Sequence, residues 1–169
     1  NNLIKIDSND LQTTEYDFEI LAYDSNGTVD VFGSENGKII IVDSEGNKTE
    51  KELPDKDDVT FVSVNSNDDI LAVSNGKAYL TKEDITKIES EKFFNCGWLF
   101  DDGKVILGGD NVIAEYDGTD LVENAPGDLI ERGLPTGETE VKMTNIFAID
   151  SKSIWMLGSS PDDQTAYIF

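Results

Sequence analysis

The stretch FEILAYDSNGTVDVFGSENGKIIIVDSEGNKTEKEL, residues 18–53, decides the fold of this chain. Short turns at residues 24–27, 34–37 and 43–47 separate four segments, three of them apolar and the last one charged. Two of the turns contain Asn-Gly, which supplies the positive φ angles of tight hairpin turns, and Val, Ile and Phe fill the segments between them. The stretch therefore predicts four antiparallel strands joined by hairpins.

The same order of strands and turns recurs about every forty residues. The first turns of the copies lie near residues 24, 65, 101 and 150, and Asn36-Gly37-Lys38 matches Asn75-Gly76-Lys77 letter for letter. Periods of this length are typical of repeat architectures. The chain 1–169 is therefore predicted to be one domain with these parts: a half copy at 1–17, copies at 18–58, 59–92 and 93–140, an insertion at 124–140 inside the third copy, and an incomplete copy at 141–169.

Polarity changes across each copy. Second strands such as Val105-Ile106-Leu107 and residues 70–73 are continuous apolar runs, as expected for strands buried on both faces. Fourth strands such as residues 48–52 are charged, which suits an outer edge that meets water.

This gradient resembles that of the β-propeller repeat proteins, whose blades are radial four-stranded sheets. Residues 24–33 followed by Asn36-Gly37 look like the repeat of regulator-type sensory propellers. Gly108-Gly109 followed by Tyr116-Asp117 looks like a kelch repeat. The resemblance implies an all-β propeller of about four four-stranded antiparallel blades.

Two ways of closing such a structure remain open. In a closed four-bladed ring, residues 11–16 add the missing outer strand to the copy at 141–169. In the alternative, the chain is part of a six- to eight-bladed propeller completed by a partner chain or by a missing segment. Residues 3–6 read as an additional third strand, which favours the partial ring slightly.

Charge excludes several classes of function. With 13 basic and 35 acidic residues the net charge is -22, so the chain repels nucleic acid and anionic membrane surfaces. The absence of histidine excludes Ser-His-Asp and Cys-His nucleophile pairs. No apolar run is long enough to span a bilayer, so we expect no membrane insertion.

The chain begins with Asn1-Asn2 instead of methionine, which suggests a trimmed protein or a piece of a larger one. Its single cysteine, Cys96, forbids an internal disulfide. Acidity together with a composition rich in Lys and Asn favours an extracellular or cell-surface location on a bacterium.

The insertion at 124–140 is the strongest pointer to a binding site. It connects an outer strand to the next inner strand, and such loops lie on the face where propellers usually bind. It carries the only arginine, Arg132, beside Glu131 and Asp128, and a guanidinium can pair with a carboxylate ligand. The alternative is an ordinary surface insertion, which loops tolerate readily.

Carboxylates could also form a calcium site. Asp101 and Asp102 occupy one turn and Asp162 and Asp163 another, and oxygens from neighbouring turns could converge on an ion. Asp is also a preferred turn residue for backbone reasons, and the repeat explains these positions better. We therefore predict no obligatory cofactor, with calcium as the possible exception.

Aromatic residues and the cysteine are assigned mainly to the core. Trp98 and Trp155 lie in first and second strands, where packing within or between blades is the default. Tyr16, Tyr79 and Tyr167 are minor candidates for an exposed sugar-stacking platform. Cys96 reads as a small buried hydrophobic residue.

The sequence as a whole favours a non-catalytic module that recognises a protein or carbohydrate partner through propeller loops. One alternative is a propeller-type glycoside hydrolase or lyase that uses carboxylates, with or without calcium. Another is a structural subunit that completes a propeller with another chain. An enzyme is the less favoured class, and the sequence identifies no catalytic residue.

Overall fold

A computed structural model describes residues 2–7, 10–15, 17–126, 140–150, 152–160 and 166–168. These residues form strands and a single 3-10 turn at Glu35–Gly37. The strands are β1 (Asn2–Asp7), β2 (Asp10–Glu15), β3 (Ala22–Ser25), β4 (Val29–Gly33), β5 (Lys38–Asp43), β6 (Lys48–Glu52), β7 (Val59–Val64), β8 (Ile70–Ser74), β9 (Lys77–Thr81), β10 (Ile85–Ile88), β11 (Phe94–Leu99), β12 (Val105–Gly109), β13 (Val112–Tyr116), β14 (Leu121–Asn124), β15 (Lys142–Asp150), β16 (Ser153–Ser159) and β17 (Ala166–Ile168).

The strands form antiparallel sheets in chain order. β3–β6, β7–β10 and β11–β14 are four-stranded sheets, which we call the first, second and third blades. β15–β17 form a three-stranded fourth blade, and β1 pairs with β2 as an N-terminal hairpin. The predicted fold class, successive antiparallel sheets built from hairpins, is thus confirmed.

The blades pack side by side through their first strands. β3 packs on β7, β7 on β11, and β11 on β15, so the blades follow one another around an arc in chain order. Three apolar clusters fill the interfaces between neighbouring blades. Examples are Val31, Val62 and Tyr79 between the first two blades, Leu71, Leu99 and Leu107 between the second and third, and Cys96, Met143 and Ile146 between the third and fourth.

The inner strands are buried on both faces, as their apolar sequences predict. All five residues of β8 and of β12 are buried. The outer strand β6, in contrast, has exposed charged residues at both ends. The gradient seen in the sequence therefore runs from the inside to the outside of each blade.

The N-terminal hairpin does not supply the ring-closing strand. β2 pairs with β1 along its whole length, from Asn2 opposite Glu15 to Asp7 opposite Asp10. Within the described ranges, the fourth blade ends at β17. The pairing of residues 11–16 with the last copy, which the closed four-bladed arrangement requires, is not made by the described strands.

The first strand of the first blade lies further along the chain than the sequence predicts. Residues 18–23 were expected as strand and residues 24–27 as turn, but β3 covers Ala22–Ser25. Side chains explain the shift, because the Ser25 hydroxyl donates to the Val29 carbonyl and Asn26 Oδ1 accepts the Val29 amide. The turn is thereby reduced to Asn26, Gly27 and Thr28, with Gly27 at φ +88°.

Within the described part of the chain, no helix has the length and apolar character needed to cross a membrane.

Candidate binding face

The antiparallel topology gives the arc of blades two faces. The loops from second to third strands, and the connections from one blade to the next, lie on what we call the upper face. The turns from first to second strands and from third to fourth strands lie on the lower face. Residues 124–140 connect β14 to β15 and therefore start and end on the upper face.

Backbone hydrogen bonds join the upper loops of one blade to the next. The Val59 amide donates to the Ser34 carbonyl at 3.0 Å, and the Phe94 amide donates to the Gly76 carbonyl at 2.9 Å. Between the third and fourth blades, the Asn111 amide donates to the Val141 carbonyl at 2.8 Å. The hairpin loop of each blade thus fixes the start of the following blade.

The upper face contains a cleft of about 680 Å³ between the second and third blades, which we call the Phe93 cleft. The Phe93 ring is 48% exposed and covers Gly76, where an added Cβ would lie 2.2 Å from the ring. Polar and charged side chains surround this ring. The lining residues are Lys56, Asp57, Asp58, Thr60, Asn75, Gly76, Phe93, Phe94 and Asn95.

The acidic wall of the cleft is fixed by hydrogen bonds. The Asn75 side-chain amide donates to Asp57 Oδ2 at 3.1 Å, and the Asn36 backbone amide donates to Asp58 Oδ1 at 3.1 Å. Lys56 pairs with Glu52 at 2.7 Å, and the hydrogen bond to Glu52 raises the pKa of the Lys56 ammonium. The lysine among the lining residues is therefore already paired, which leaves the wall predominantly acidic.

A second cleft, of about 430 Å³, adjoins the first. Its lining includes Asp110, Asn111, Glu140 and Lys142. The Asn95 side-chain amide connects the two clefts, because it donates to Asp110 Oδ1 at 2.9 Å and to the Met143 carbonyl at 3.3 Å. The upper face thus presents a row of polar groups across three blades, with one exposed aromatic ring.

The lower face is organised differently, because side chains in a turn of one blade form hydrogen bonds with the backbone of a turn in the neighbouring blade. Asn26 donates from Nδ2 to the Asn65 carbonyl at 2.7 Å, and Asn65 donates in the same way to the Phe100 carbonyl at 3.1 Å. Asp24 Oδ2 accepts the Val64 amide at 2.8 Å. These polar residues hold neighbouring blades together.

The structure places the predicted calcium residues Asp101 and Asp102 on the lower face. Asp101 Oδ1 accepts the Ser66 amide at 3.0 Å, and Asp102 Oδ1 accepts the Lys104 amide at 3.1 Å. These backbone hydrogen bonds hold the pKa of both carboxyls below the usual range. Within the described ranges, no three His, Cys, Asp or Glu side chains are grouped as metal ligands.

The other predicted site residues lie outside the described residues. They are Asp128, Glu131 and Arg132 in the insertion, and Asp162 and Asp163 near the C-terminus. The Phe93 cleft was not predicted. The signal that could have indicated it is the doubled aromatic Phe93-Phe94 at the start of the third copy, because Phe94 alone fills the core position.

The assignments to the core are confirmed in part. Cys96 is fully buried, and burial raises the pKa of its thiol to about 12. Trp98 is half-buried against the third interface cluster. Trp155, expected in packing, is instead exposed, and Tyr79, considered as an exposed platform, is buried with its hydroxyl 2.8 Å from Asp55 Oδ2.

Five turn carboxylates favour the ionised form. Hydrogen bonds lower the pKa of the turn residues Asp43, Asp101, Asp102, Asp117 and Asp150. Glu35 is the opposite case, because the neighbouring Glu19 carboxylate raises its pKa, but Glu35 is exposed. A glycosidase acid needs a pKa raised by burial, so these groups are better suited to binding cations than to proton transfer.

No protein-family model matches the sequence, and no curated protein sequence matches it either. Solved structures do match. Virginiamycin B lyase from Staphylococcus aureus is 15% identical with a TM-score of 0.67, over 100% of this chain and 62% of that chain. The computationally designed protein Ika4 is 14% identical with a TM-score of 0.63, over 92% of each chain. A streptogramin B lyase is 15% identical with a TM-score of 0.60, over 90% of this chain and 53% of that chain.

These similarities define the class of protein. The chain is an all-β protein with the β-propeller fold, because it forms four consecutive blades and resembles solved propeller structures. At 14–15% identity, these structural similarities show the fold alone. The chain spans less than two thirds of the length of either lyase that it matches.

Proposed function

We propose that this protein is a non-catalytic binding module that recognises a basic segment of a protein partner through its upper face. The observation that carries the proposal is the Phe93 cleft, an exposed aromatic ring surrounded by fixed carboxylates and amides. Binding sites in proteins typically combine an apolar surface with a few convergent polar groups.

Several features of the cleft suit recognition. The Phe93 ring rests on Gly76, and the Phe93 carbonyl accepts the Asp110 amide at 3.1 Å, so the aromatic residue is held in place before a ligand arrives. Asp57 and Asp58 are likewise oriented by Asn75 and Asn36. A preorganised site loses less conformational entropy on binding.

Charge favours a basic partner. Asp57, Asp58, Asp110 and Glu140 line the two adjoining clefts, and the whole chain carries a net charge of -22. A field of this sign accelerates encounter with lysine- and arginine-rich segments and repels acidic ones. A side chain with an apolar stem and a cationic end could lie along Phe93 while its charge reaches Asp57.

The lower face offers a larger cleft, of about 750 Å³, between the second and third blades. Of its four acidic residues, Asp69 is paired with Lys82 at 3.2 Å and Asp68 accepts a hydrogen bond from the Asn26 side chain. The Tyr116 hydroxyl also donates to the Gly118 carbonyl, so these groups are engaged within the protein, whereas the upper cleft presents a half-exposed ring. The upper face is therefore the better candidate.

The test is a binding screen with defined probes. Arrays of synthetic lysine- and arginine-rich peptides, their glutamate-substituted counterparts and a panel of neutral oligosaccharides would be exposed to the labelled chain at about 0.15 M salt. We expect binding to a subset of the basic peptides. Binding to oligosaccharides alone, or to no probe, would contradict the proposal.

Matched variants then assign the site. We expect Phe93→Ala and Asp57→Asn each to weaken peptide binding by about tenfold, because each removes a buried or charged contact. Glu45→Gln removes the same charge from a lower-face turn and is expected to leave affinity unchanged. Equal losses in Asp57→Asn and Glu45→Gln would indicate unspecific charge attraction and overturn the assignment.

A further inference from the structure

The fourth blade has an apolar face on which none of the described blades packs. Five large apolar side chains of β15–β17 are between 43% and 76% exposed. They are Phe147, Ile149, Trp155, Leu157 and Ile168. At the three earlier interfaces, in contrast, apolar side chains facing the next blade are buried in the interface clusters.

Strand register places these residues together. Phe147 lies opposite Trp155 with the ring centroids 5.9 Å apart, and Leu157 lies opposite Ile168. The intervening residues of β15, Ile146 and Ala148, are buried, and Ile146 belongs to the cluster between the third and fourth blades. The exposed residues alternate with these and lie on the other face of the sheet, which we call the terminal face. Phe147, on the first strand of the blade, also lies 5.2 Å from the Trp98 ring of β11.

The centre of the terminal face lacks charge. Its remaining central members by register are Asn145, Ser159 and Ala166, and the charged residues of this face, Lys142 opposite Ser159 and Asp150 opposite Ser153, lie at the two ends of β15. Charged residues make up 28% of the sequence, and outer strands such as β6 are dominated by them. A surface exposed to water in this acidic chain would be expected to be charged as well.

The size of the terminal face suits a protein interface. Its five large side chains expose roughly 600 Å² together, close to the 800 Å² or so that each partner buries in a standard interface. The polar neighbours and the backbone of the sheet can supply the remainder. Exposed apolar patches of this size mark interaction sites in soluble proteins.

The opposite end of the arc is already covered. Phe32 and Ile40, which lie opposite each other on β4 and β5, are buried. The Phe18 and Tyr23 rings lie 5.5 Å and 5.2 Å from the Phe32 ring. A head-to-tail contact, in which the terminal face of one copy packs on the first blade of another, would have to displace this cover. The terminal face is therefore better suited to pack on the terminal face of a second copy.

We propose that two copies of this chain associate by stacking their terminal faces on one another about a two-fold axis. Each sheet then buries its apolar face against an identical one, as in aligned packing of two β-sheets. Such isologous contacts are the commonest basis of homodimers. The face belongs to β15–β17, so the dimer leaves the Phe93 cleft of the second and third blades open.

The test is the mass in solution, by light scattering coupled to size exclusion between about 1 and 100 µM protein. We expect twice the 18.6 kDa of one chain at the upper end of this range, at about 0.15 M salt. A monomer throughout would overturn the proposal. A dimer that weakens as salt is raised would be held together by charged groups, and this result would also overturn the proposal.

Variants locate the contact. Ile149 and Ile168 are 71% and 76% exposed, so Ile149→Lys with Ile168→Lys should leave the fold intact and yield a monomer at about 100 µM. Val122→Lys changes a residue that is 57% exposed on β14, outside the terminal face, and is expected to remain dimeric. A dimer that persists in the double variant, or that Val122→Lys also abolishes, would contradict the assignment.

Hydrogen exchange gives a second measurement, one that does not depend on a variant. We expect backbone amides of residues 145–149 and 153–157 to exchange more slowly at high than at low protein concentration. Amides of β4 and β5 should not depend on concentration. Protection that is independent of concentration in β15 and β16 would overturn the proposed contact.

Discussion

Individual glycines fix the contacts between blades because side chains or backbone approach them closely. Gly76 has φ +76° and lies under the Phe93 ring, while Gly46 has φ +85° with nothing within 4 Å of the position that a Cβ would take. The two positions share a left-handed backbone and differ in their neighbours. Alanine variants at the two positions therefore distinguish the destabilisation caused by backbone strain from that caused by overpacking.

Gly76→Ala is expected to destabilise the protein more than Gly46→Ala. Both substitutions place a Cβ at positive φ, which costs about 1 kcal/mol. Gly76→Ala also forces the Phe93 ring away, which adds roughly 1–3 kcal/mol for overpacking. Urea denaturation of the two variants measures the difference, and equal losses would show that Phe93 does not rest on Gly76.

Turn carboxylates also act at the scale of single residues. The Ser66 amide lowers the pKa of Asp101 in the folded protein. A carboxyl with a lowered folded-state pKa contributes stability above its unfolded pKa and loses that contribution as pH falls through the folded value. Asp101 therefore contributes to stability at neutral pH and to unfolding in acid.

Asp101→Asn is expected to reduce the loss of stability between about pH 5 and pH 2, because the neutral amide accepts a hydrogen bond without titrating. The variant is slightly less stable at pH 7, since a charge-assisted hydrogen bond becomes a neutral one. Thermal melts across this pH range test the expectation. The exposed Asp84→Asn is the control, and the same acid response in both variants would contradict the role of Asp101.

At the scale of elements, each blade buries both faces of its inner strands, so stability depends on contacts between blades. Leu107 on β12 is fully buried in the cluster between the second and third blades. Val122 on the outer strand β14 is exposed. Truncation to alanine should therefore lower the free energy of unfolding much more at Leu107 than at Val122.

Leu107→Ala is expected to lower the free energy of unfolding by about 2–5 kcal/mol, because it leaves a cavity between two sheets. Val122→Ala is expected to change it by about 0.5 kcal/mol or less. Chemical denaturation of both variants provides the comparison. A small effect of Leu107→Ala would mean that the two blades do not pack through β12.

The strands could be predicted from the sequence because turn chemistry is local. Asn-Gly pairs and apolar runs located the hairpins, and the charged fourth strands identified the outer edge. The start of the first blade was misplaced because Asp24, Ser25 and Asn26 read as a turn, although Ser25 and Asn26 bind Val29 and let β3 continue to Ser25. Side-chain bonds of this kind are not apparent from residue type alone.

The candidate site was harder to predict than the strands. Asp101 and Asp102 were recognised as turn residues, but the partner of Asp101 is Ser66, 35 residues away on the neighbouring blade. The Phe93 cleft likewise joins residues from three separate loops. Such sites depend on how blades are placed around the arc, which no local sequence pattern specifies.

At the scale of the whole molecule, the net charge of -22 opposes the compact state through self-repulsion. Salt screens this repulsion, with a Debye length near 30 Å at 0.01 M and about 10 Å at 0.1 M. The melting temperature is therefore expected to rise between about 0.01 and 0.3 M sodium chloride. The comparison is made with the Ile149→Lys, Ile168→Lys variant, so that dimerisation does not contribute. A constant or falling melting temperature would contradict this expectation.

The radial order of the blades underlies both proposals, since it defines the upper face and leaves the terminal face uncovered. Alternative all-β arrangements, such as two stacked sheets, would keep the hairpins but change which sheets touch. Side-chain methyl contacts between sheets therefore distinguish the arrangements.

The most direct measurement is a set of methyl–methyl nuclear Overhauser effects on the selectively methyl-labelled protein. The radial order predicts effects within each interface cluster: Val31 with Val62, Leu71 with Leu107, and Met143 with other methyl groups of the third cluster. It predicts none between Val31 and Leu107, which lie in different interfaces. Effects that join the first blade directly to the third, with those between neighbouring blades missing, would contradict the account.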